Sequence, residues 1–373
     1  MPVPIDSSQA NPFYGLTAAE CDGLLVQNGW PRFRGAQVRD WVYRKGVTSP
    51  AQMTNLSSRD QSALSTQFAF STAKVVKHQV STDGTQKLLL GWGDDAKAET
   101  VMIPDDDRRT ICVSSQVGCP VGCRFCASGI DGLAKNLTAA QIVEQVVAVN
   151  QILAAGKTGD RVTGDRVTGD RVNHVVFMGM GEPLANYAHL MQAVRVLHDP
   201  DCLNIGARKI TISTVGVPAR MRQLATEGLP INLAISLHAP TESLRKNLIP
   251  WAEHFSLPEI LDAARHYFDQ TGREVTLEYI LLSGVNDRPE HARQLARLCK
   301  TLRANVNLIR YNKVETLPFA RPTSNDVMAF QEILRDAGVN AHVRKSRGRD
   351  IDAACGQLRR KEGGETPLVQ IGA

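Results

Sequence analysis

The chain has 373 residues, 43% hydrophobic and 22% charged, with a formal net charge of +5, a composition that excludes disordered and fibrous proteins. No run reaches the roughly 18 apolar residues of a membrane helix, and the opening "MPVPIDSSQANPFYGL" lacks the basic stretch and apolar run of a secretory signal, so a cytoplasmic, non-membrane protein is expected. In a reducing compartment the eight cysteines point to metal binding or thiol chemistry rather than structural disulfides.

Residues 1–70 read as a small helical accessory module, in which Thr17 and Glu20 have the spacing of a capping box. Within it, "WPRFRGAQVRDWVYRK" (30–45) interleaves Arg32, Arg34, Arg39, Arg44 and Lys45 with Trp30, Phe33, Trp41 and Tyr43. That mixture suits phosphate contact and base stacking, and it equally suits a basic helix whose aromatics face a small core. Residues 71–105 alternate Val, Leu and Ile runs with Gly-containing turns and predict a connecting antiparallel element.

Residues 106–346 change pattern to apolar runs alternating with amphipathic segments. The candidate strands are "TICVSSQ", "HVVFMGM", "KITISTV", "INLAISLH", "EVTLEYILL", "ANVNLIRY" and "NAHVRKS". Between the first two, Thr138 and Gln141 form a capping-box pattern, and Ile142, Val146, Val149 and Leu153 recur at helical spacing. Such units predict an α/β fold with a parallel sheet, either doubly wound or curled into a partial (β/α)6 barrel with its chemistry at the C-terminal strand ends. The repeat "TGDRVTGDRVTGDRV" (158–172) fits neither helix nor strand and is expected to be an exposed loop on the opposite face. Residues 347–373 form a C-terminal segment carrying Cys355 within a basic tail that starts at Arg344, a second candidate for phosphate neutralisation.

Cys21, Cys202 and Cys299 lie in or beside helical stretches and read as packing residues. Cys119, Cys123 and Cys126 form C-x3-C-x2-C, and three thiolates on one loop can fill three irons of a [4Fe-4S] cluster, leaving the fourth open. Zinc is the competing reading, but a structural zinc needs a fourth protein ligand, and no His or Cys lies nearby at finger-like spacing. In "GMGEP" (179–183), Gly179 and Gly181 would let backbone approach a ligand and Glu182 could accept from an amino group. Ser213 ends one strand, and Ser236 and His238 flank Leu237 on another, where alternation would send both polar groups to one face.

With "ITISTVG" (210–216), "LAISLHAP" (233–240), "YILLSGVND" (279–287) and "GRDIDAACGQL" (348–358), these motifs resemble the radical S-adenosylmethionine superfamily. Over essentially the whole chain the sequence resembles the bacterial RlmN family, which methylates C2 of an adenosine in 23S rRNA. The resemblance implies one [4Fe-4S] cluster on Cys119, Cys123 and Cys126, and S-adenosylmethionine held by Gly181, Glu182, Ser213, Ser236, Leu237, His238 and Asn312. It implies that Cys355 accepts a methyl group and forms a transient protein–RNA adduct, that Cys112 resolves it as a disulfide, and that Glu99, which read alone looks exposed, is a proton acceptor. It further implies tRNA, beside the anticodon, as a second substrate, a flavodoxin-type electron donor and a monomer. Two rivals remain open: a methyltransferase acting at C8 of the same nucleotide, as in antibiotic resistance, and a non-catalytic iron–sulfur or zinc protein that binds RNA.

Placing the repeat on the face away from the strand C-termini predicts that trimming residues 158–172 to a short turn leaves turnover intact. A large loss of activity in a still-folded deletion variant would refute that placement.

Overall fold

A computed structural model describes residues 10–93, 96–155 and 171–359. The N-terminal part contains strand β1 (Asn11–Pro12), helices α1 (Ala18–Gln27), α2 (Phe33–Arg39) and α3 (Ser58–Gln67), and β2 (Phe68–Ala69), which pairs in parallel with β1. The predicted Thr17–Glu20 capping box opens α1, and Ser57 caps α3 by accepting from the Asp60 N–H. α2 continues as a π-helical turn over Asp40–Arg44, which buries Val42 and Tyr43 in the same core as Phe13, Tyr14 and Phe68.

Three antiparallel strands follow, β3 (Lys74–Val80), β4 (Gln86–Gly91) and β5 (Lys97–Asp105), then β6 (Arg108–Cys112) and the separate ribbon β7 (Gln116–Gly118) with β8 (Leu133–Asn136). From there helices and strands alternate: α4 (Ala139–Ala155), β9 (His174–Phe177), α5 (Tyr187–His198), β10 (Ile210–Thr214), α6 (Pro218–Ala225) and β11 (Asn232–Ser236). The series ends with α7 (Glu242–Leu248), α8 (Leu257–Thr271), β12 (Val275–Leu281), α9 (Pro289–Cys299), β13 (Ala304–Arg310), α10 (Ser324–Asp336) and β14 (Ala341–Arg344). One ten-stranded sheet runs β14-β13-β12-β11-β10-β9-β6-β5-β4-β3. Its strands from β14 to β6 are parallel, and β3 to β5 extend it as an antiparallel edge. The strands foreseen as a connector therefore belong to the central sheet itself.

Register divides the parallel strands into two faces. Ile111, Val175, Ile212, Leu233, Leu277 and Leu308 lie on one, all with 0% exposure. Each such side chain contributes about 1.5–3 kcal/mol on burial, so this face must pack under the helices. Cys112, Ser213, Ser236, Glu278, Asn307 and Arg344 share the other face. In a flat sheet β14 and β9, five steps apart, would be about 24 Å from each other. Yet Arg344 Nη1 on β14 lies 3.5 Å from Sδ of Met178, the residue after β9. The sheet is thus curled into a partial barrel of six strand–helix units and a final strand, with the polar face inside.

Beyond β14 the chain crosses the barrel mouth to the antiparallel edge. Arg347 pairs with Asp105 at 3.0 Å, the Gly348 N–H donates to Asp83 Oδ2 at 3.0 Å, and Asp350 accepts from Ser81 Oγ at 2.5 Å and the Thr82 N–H at 3.1 Å. Lys87 Nζ reaches the Asp352 carbonyl at 3.1 Å. Residues 158–170 of the repeat lie outside the described residues. Its last two are anchored: Arg171 donates to the Tyr43 carbonyl at 2.8 Å, and the Val172 N–H donates to Asn150 Oδ1 at 2.8 Å.

Gly348 has φ +61°, and a Cβ there would stand 2.8 Å from Ala353 Cβ and Thr85 Cγ2. Gly348→Ala should therefore lower stability by roughly 1–3 kcal/mol and expose the peptide bonds after Arg344 to protease. An unchanged urea midpoint and digestion pattern would contradict this anchoring.

Candidate active site

The cysteine triplet follows the β7–β8 ribbon's first strand, where Gly118 (φ +77°) lies so close to the Gly132 carbonyl that no side chain fits. The Cys119 N–H donates to that carbonyl at 2.9 Å, and the Cys126 N–H to the Cys123 carbonyl at 3.1 Å. All three cysteines pack against a small apolar cluster that includes Val121, Phe125, Ile249 and Ile280. Burial pushes the Cys119 thiol up to about 12 and Cys123 well above its ordinary value, Cys123 being raised further by Cys126 and Cys119. Arg245 opposes this at Cys123; it is fully buried on α7, is held down to about 10 by burial, and donates to the Val215 carbonyl.

Among the described residues no three His, Cys, Asp or Glu side chains converge as a single ion would require. A cubane cluster takes one thiolate on each of three irons, so its ligands need not meet at one point as those of zinc must. Thiols in an apolar shell ionise readily only beside strong positive charge, which such a cluster supplies. The donor set fits that group.

The 179–183 loop packs against the segment that follows β6. Cβ atoms added at Gly179 or Gly181 would lie 2.7 Å from Ser114 Oγ and 2.6 Å from Gln116 Cβ respectively. These glycines therefore allow close approach of the chain to itself, where the sequence suggested approach to a ligand. Glu182 is 3% exposed, and its carboxylate accepts from the Leu184 N–H at 2.9 Å and the Val215 N–H at 2.8 Å. Burial raises it to about 7 against those hydrogen bonds. It thus ties the loop after β9 to the loop after β10.

Ser213 and Ser236 meet on the inner face, with hydroxyl oxygens 3.4 Å apart. His238 does not continue the alternation of β11: it lies beyond the strand at φ +58°. Burial holds it down to about 3, and Nδ1 accepts the Ile280 N–H at 3.0 Å, so the neutral ring carries its hydrogen on Nε2. Leu237 between them is fully buried. Asn312 Nδ2 donates to the Cys355 carbonyl at 3.3 Å, while its Oδ1 accepts from Arg321 at 3.0 Å.

Cys355 is fixed by its neighbours. The Ala127 N–H, next to Cys126, donates to the Gly356 carbonyl at 2.8 Å, and Ser128 Oγ to the Leu358 carbonyl at 2.7 Å. Cys112, at the end of β6, is a free thiol, as is Cys355. Burial and then the neighbouring Cys355 push Cys112 up to about 12. Cys355 also raises Cys126, after burial and against the Ser128 and Gly129 hydrogen bonds. Glu99 is 7% exposed, contrary to its sequence reading. Its Oε1 lies 3.0 Å from Lys87 Nζ, and its Oε2 accepts the Arg359 N–H at 2.8 Å. Burial raises it, with Lys87 opposing. The inner face also holds Glu278, which the sequence reading did not single out, and Arg344, which it placed in the basic tail, 3.7 Å from Glu278 Oε2. Thr276 and Glu278, spaced by two in an apolar strand, were the available signal.

The curled sheet and its thiol loop are those of a radical S-adenosylmethionine methyltransferase. The crystal structure of such an enzyme from Sphaerobacter thermophilus superposes with a TM-score of 0.88 and is 42% identical, covering 94% of this chain and 99% of that one. Residues 13–69 match the family model described as the ribosomal RNA large subunit methyltransferase N-terminal domain. A relative from Symbiobacterium thermophilum, named "Probable dual-specificity RNA methyltransferase RlmN", is 47% identical over 94% of this chain and 91% of its own length. One of the same name from Geobacillus kaustophilus is 44% identical over 94% and 92%. The chain belongs to the RlmN family.

Glu182→Gln would turn one acceptor into a donor facing a backbone N–H. The expected result is weaker S-adenosylmethionine binding and a stability loss of about 1–3 kcal/mol, read by equilibrium dialysis and urea unfolding; unchanged values in both would contradict the tie between the two loops.

Proposed function

We propose that this enzyme methylates C2 of an adenosine in 23S rRNA, and in tRNA beside the anticodon, with Cys355 carrying the methyl carbon and Cys112 completing the transfer. The observation that carries the reading is the placement of Cys355, tethered to the triplet loop through Gly356 and Leu358 and bearing on the Cys112 thiol. The relatives' name supports RNA as the substrate.

Cys119, Cys123 and Cys126 would hold the [4Fe-4S] cluster, and Glu182, with Gly181, Ser213, Ser236, Leu237, His238 and Asn312, would form the S-adenosylmethionine pocket. Together these groups supply a reactive 5′-deoxyadenosyl radical. Such chemistry is needed because adenine C2, between two ring nitrogens, is too electron-poor to attack a methyl sulfonium. Cys355 would accept a methyl group at sulfur from one S-adenosylmethionine, give up one hydrogen atom of that S-methyl group to the deoxyadenosyl radical, and bond through the remaining methylene carbon to C2, which links protein and RNA. The one electron the adduct loses with the C2 proton can pass to the cluster. Cys112 assists removal of the C2 proton and then attacks the Cys355 sulfur. That step breaks the Cys355 S–C bond, releases methylated RNA and leaves a Cys112–Cys355 disulfide for external thiols to reduce. Glu99 would assist proton removal from its position on β5, sharing the face of Cys112.

RNA contact would draw on both basic segments, the N-terminal one with its aromatics and the tail. Arg32, Arg44, Lys45 and Phe33 are exposed in the first, Phe33 at 59%, with the Arg34 guanidinium 5.4 Å from its ring centre. Of the basic tail, Arg344, Arg347 and Arg359 are each paired with a carboxylate, Glu278, Asp105 and Asp131, as Arg44 and Lys45 are with Asp40, while Lys345 and Arg349 are exposed. A flipped adenosine would enter the barrel mouth.

Incubated with S-adenosylmethionine, reductant and unmodified rRNA, Cys112→Ala should accumulate protein-linked RNA on denaturing gels, and Cys355→Ala should form neither adduct nor product. Methylation by Cys355→Ala would overturn the carrier role, and an 8-methyladenosine product from the wild type would overturn the choice of C2.

A further inference from the structure

We infer that Arg344 is a positioning residue that stabilises the thiolate of Cys112 inside the barrel. The inference deepens the reading of Cys112 as the thiol that assists proton removal and resolves the adduct. It starts from geometry. Cys112 and Arg344 lie on the concave face of the sheet, at β6 and β14. Met178 joins them: it follows β9, whose Val176 is in register with Cys112, and its Sδ accepts from Arg344 Nη1 at 3.5 Å.

Arg344 has two claims on its charge. On one side is Glu278, 3% exposed, whose Oε1 accepts from Asn307 at 3.0 Å and whose Oε2 has no hydrogen-bond partner. The 3.7 Å separation from Arg344 leaves that pair loose. On the other side are the thiols, and both Cys355 and Cys112 act on the guanidinium. The groups facing Cys112 are Cys355 from the C-terminal segment and Arg344 from β14, with Glu278 on β12 acting through Arg344. Glu99 on β5 shares the face and is held by Lys87.

A thiol this deeply buried gives up its proton only where fixed positive charge offsets the desolvation. Guanidinium suits the task because it stays protonated even when buried. Glu278 then sets how much of that charge reaches the sulfur.

The test is the rate of iodoacetamide alkylation at Cys112 at one mildly alkaline pH, where the rate follows the small thiolate fraction, read by peptide mass spectrometry on the reduced, full-length, cluster-loaded protein kept free of oxygen. Arg344→Gln should lower the Cys112 rate roughly tenfold or more, Arg344→Lys should restore most of it, and Glu278→Gln should raise it. Opposite rate changes from two partners of one ion pair are not what a purely structural pair would give. A folded Arg344→Gln protein with the wild-type rate, or rate changes of the same sign in Arg344→Gln and Glu278→Gln, would overturn the inference. Because alkylation needs no RNA, failure of wild-type protein to methylate C2 while the rates change as stated would count against the assigned reaction and not against Arg344.

Discussion

Successive side chains of a strand point to opposite sides, and in the parallel part of this sheet helix packing claims one side completely. Ile111, Val175, Ile212, Leu233, Leu277 and Leu308 occupy it with no exposed surface. The polar and thiol groups of the site lie on the other side, where the curl of the sheet encloses them. Ser213, Ser236, Glu278, Asn307 and Cys112 are brought together by this rule, although up to 195 residues separate Cys112 from Asn307 in sequence. A complete barrel fills its interior with layers of branched apolar side chains. This one leaves the interior polar and the mouth open, as a site for large ligands requires.

The mouth is crossed by a segment held in a different way. Residues 347–359 are attached by hydrogen bonds and ion pairs to the β3–β4 turn, to β5 and to the cysteine loop. Exposed pairs such as Arg359–Asp131 contribute only about 0–1 kcal/mol each. The backbone bonds and the buried Glu99–Lys87 pair are what determine where Cys355 sits. Glu99 thereby has a structural task beside any chemical one, since its Oε2 holds the Arg359 N–H, four residues beyond Cys355.

Sequence made some of this legible because the relevant physics is local. The capping boxes at Thr17 and Thr138, the strand and helix alternation, and the spacing of Cys119, Cys123 and Cys126 depend on neighbours in the chain. The packing role of Cys21, Cys202 and Cys299 was legible for the same reason, and all three are buried. What depends on tertiary approach was not legible. That Gly179 and Gly181 also let the chain pass close to Ser114 and Gln116 was not visible in the sequence. His238 looked like a strand residue, but the chain turns out of β11 before it. Glu99 looked exposed because its cover, Arg359, lies 260 residues away. Arg344 looked like part of a phosphate-binding tail, and only the curl of the sheet places it opposite β9.

The central claim is that the methyl carbon reaches RNA by way of the Cys355 sulfur. It is tested most directly by single-turnover reaction of unmethylated enzyme with S-adenosylmethionine bearing a CD3 group, followed by mass spectrometry of the digested RNA. Passage through an S-methyl group that loses one hydrogen before adding to the base predicts methyladenosine with two of the three deuteriums retained. Retention of all three would mean direct transfer of an intact methyl group, and the account built on Cys355 and Cys112 would fail.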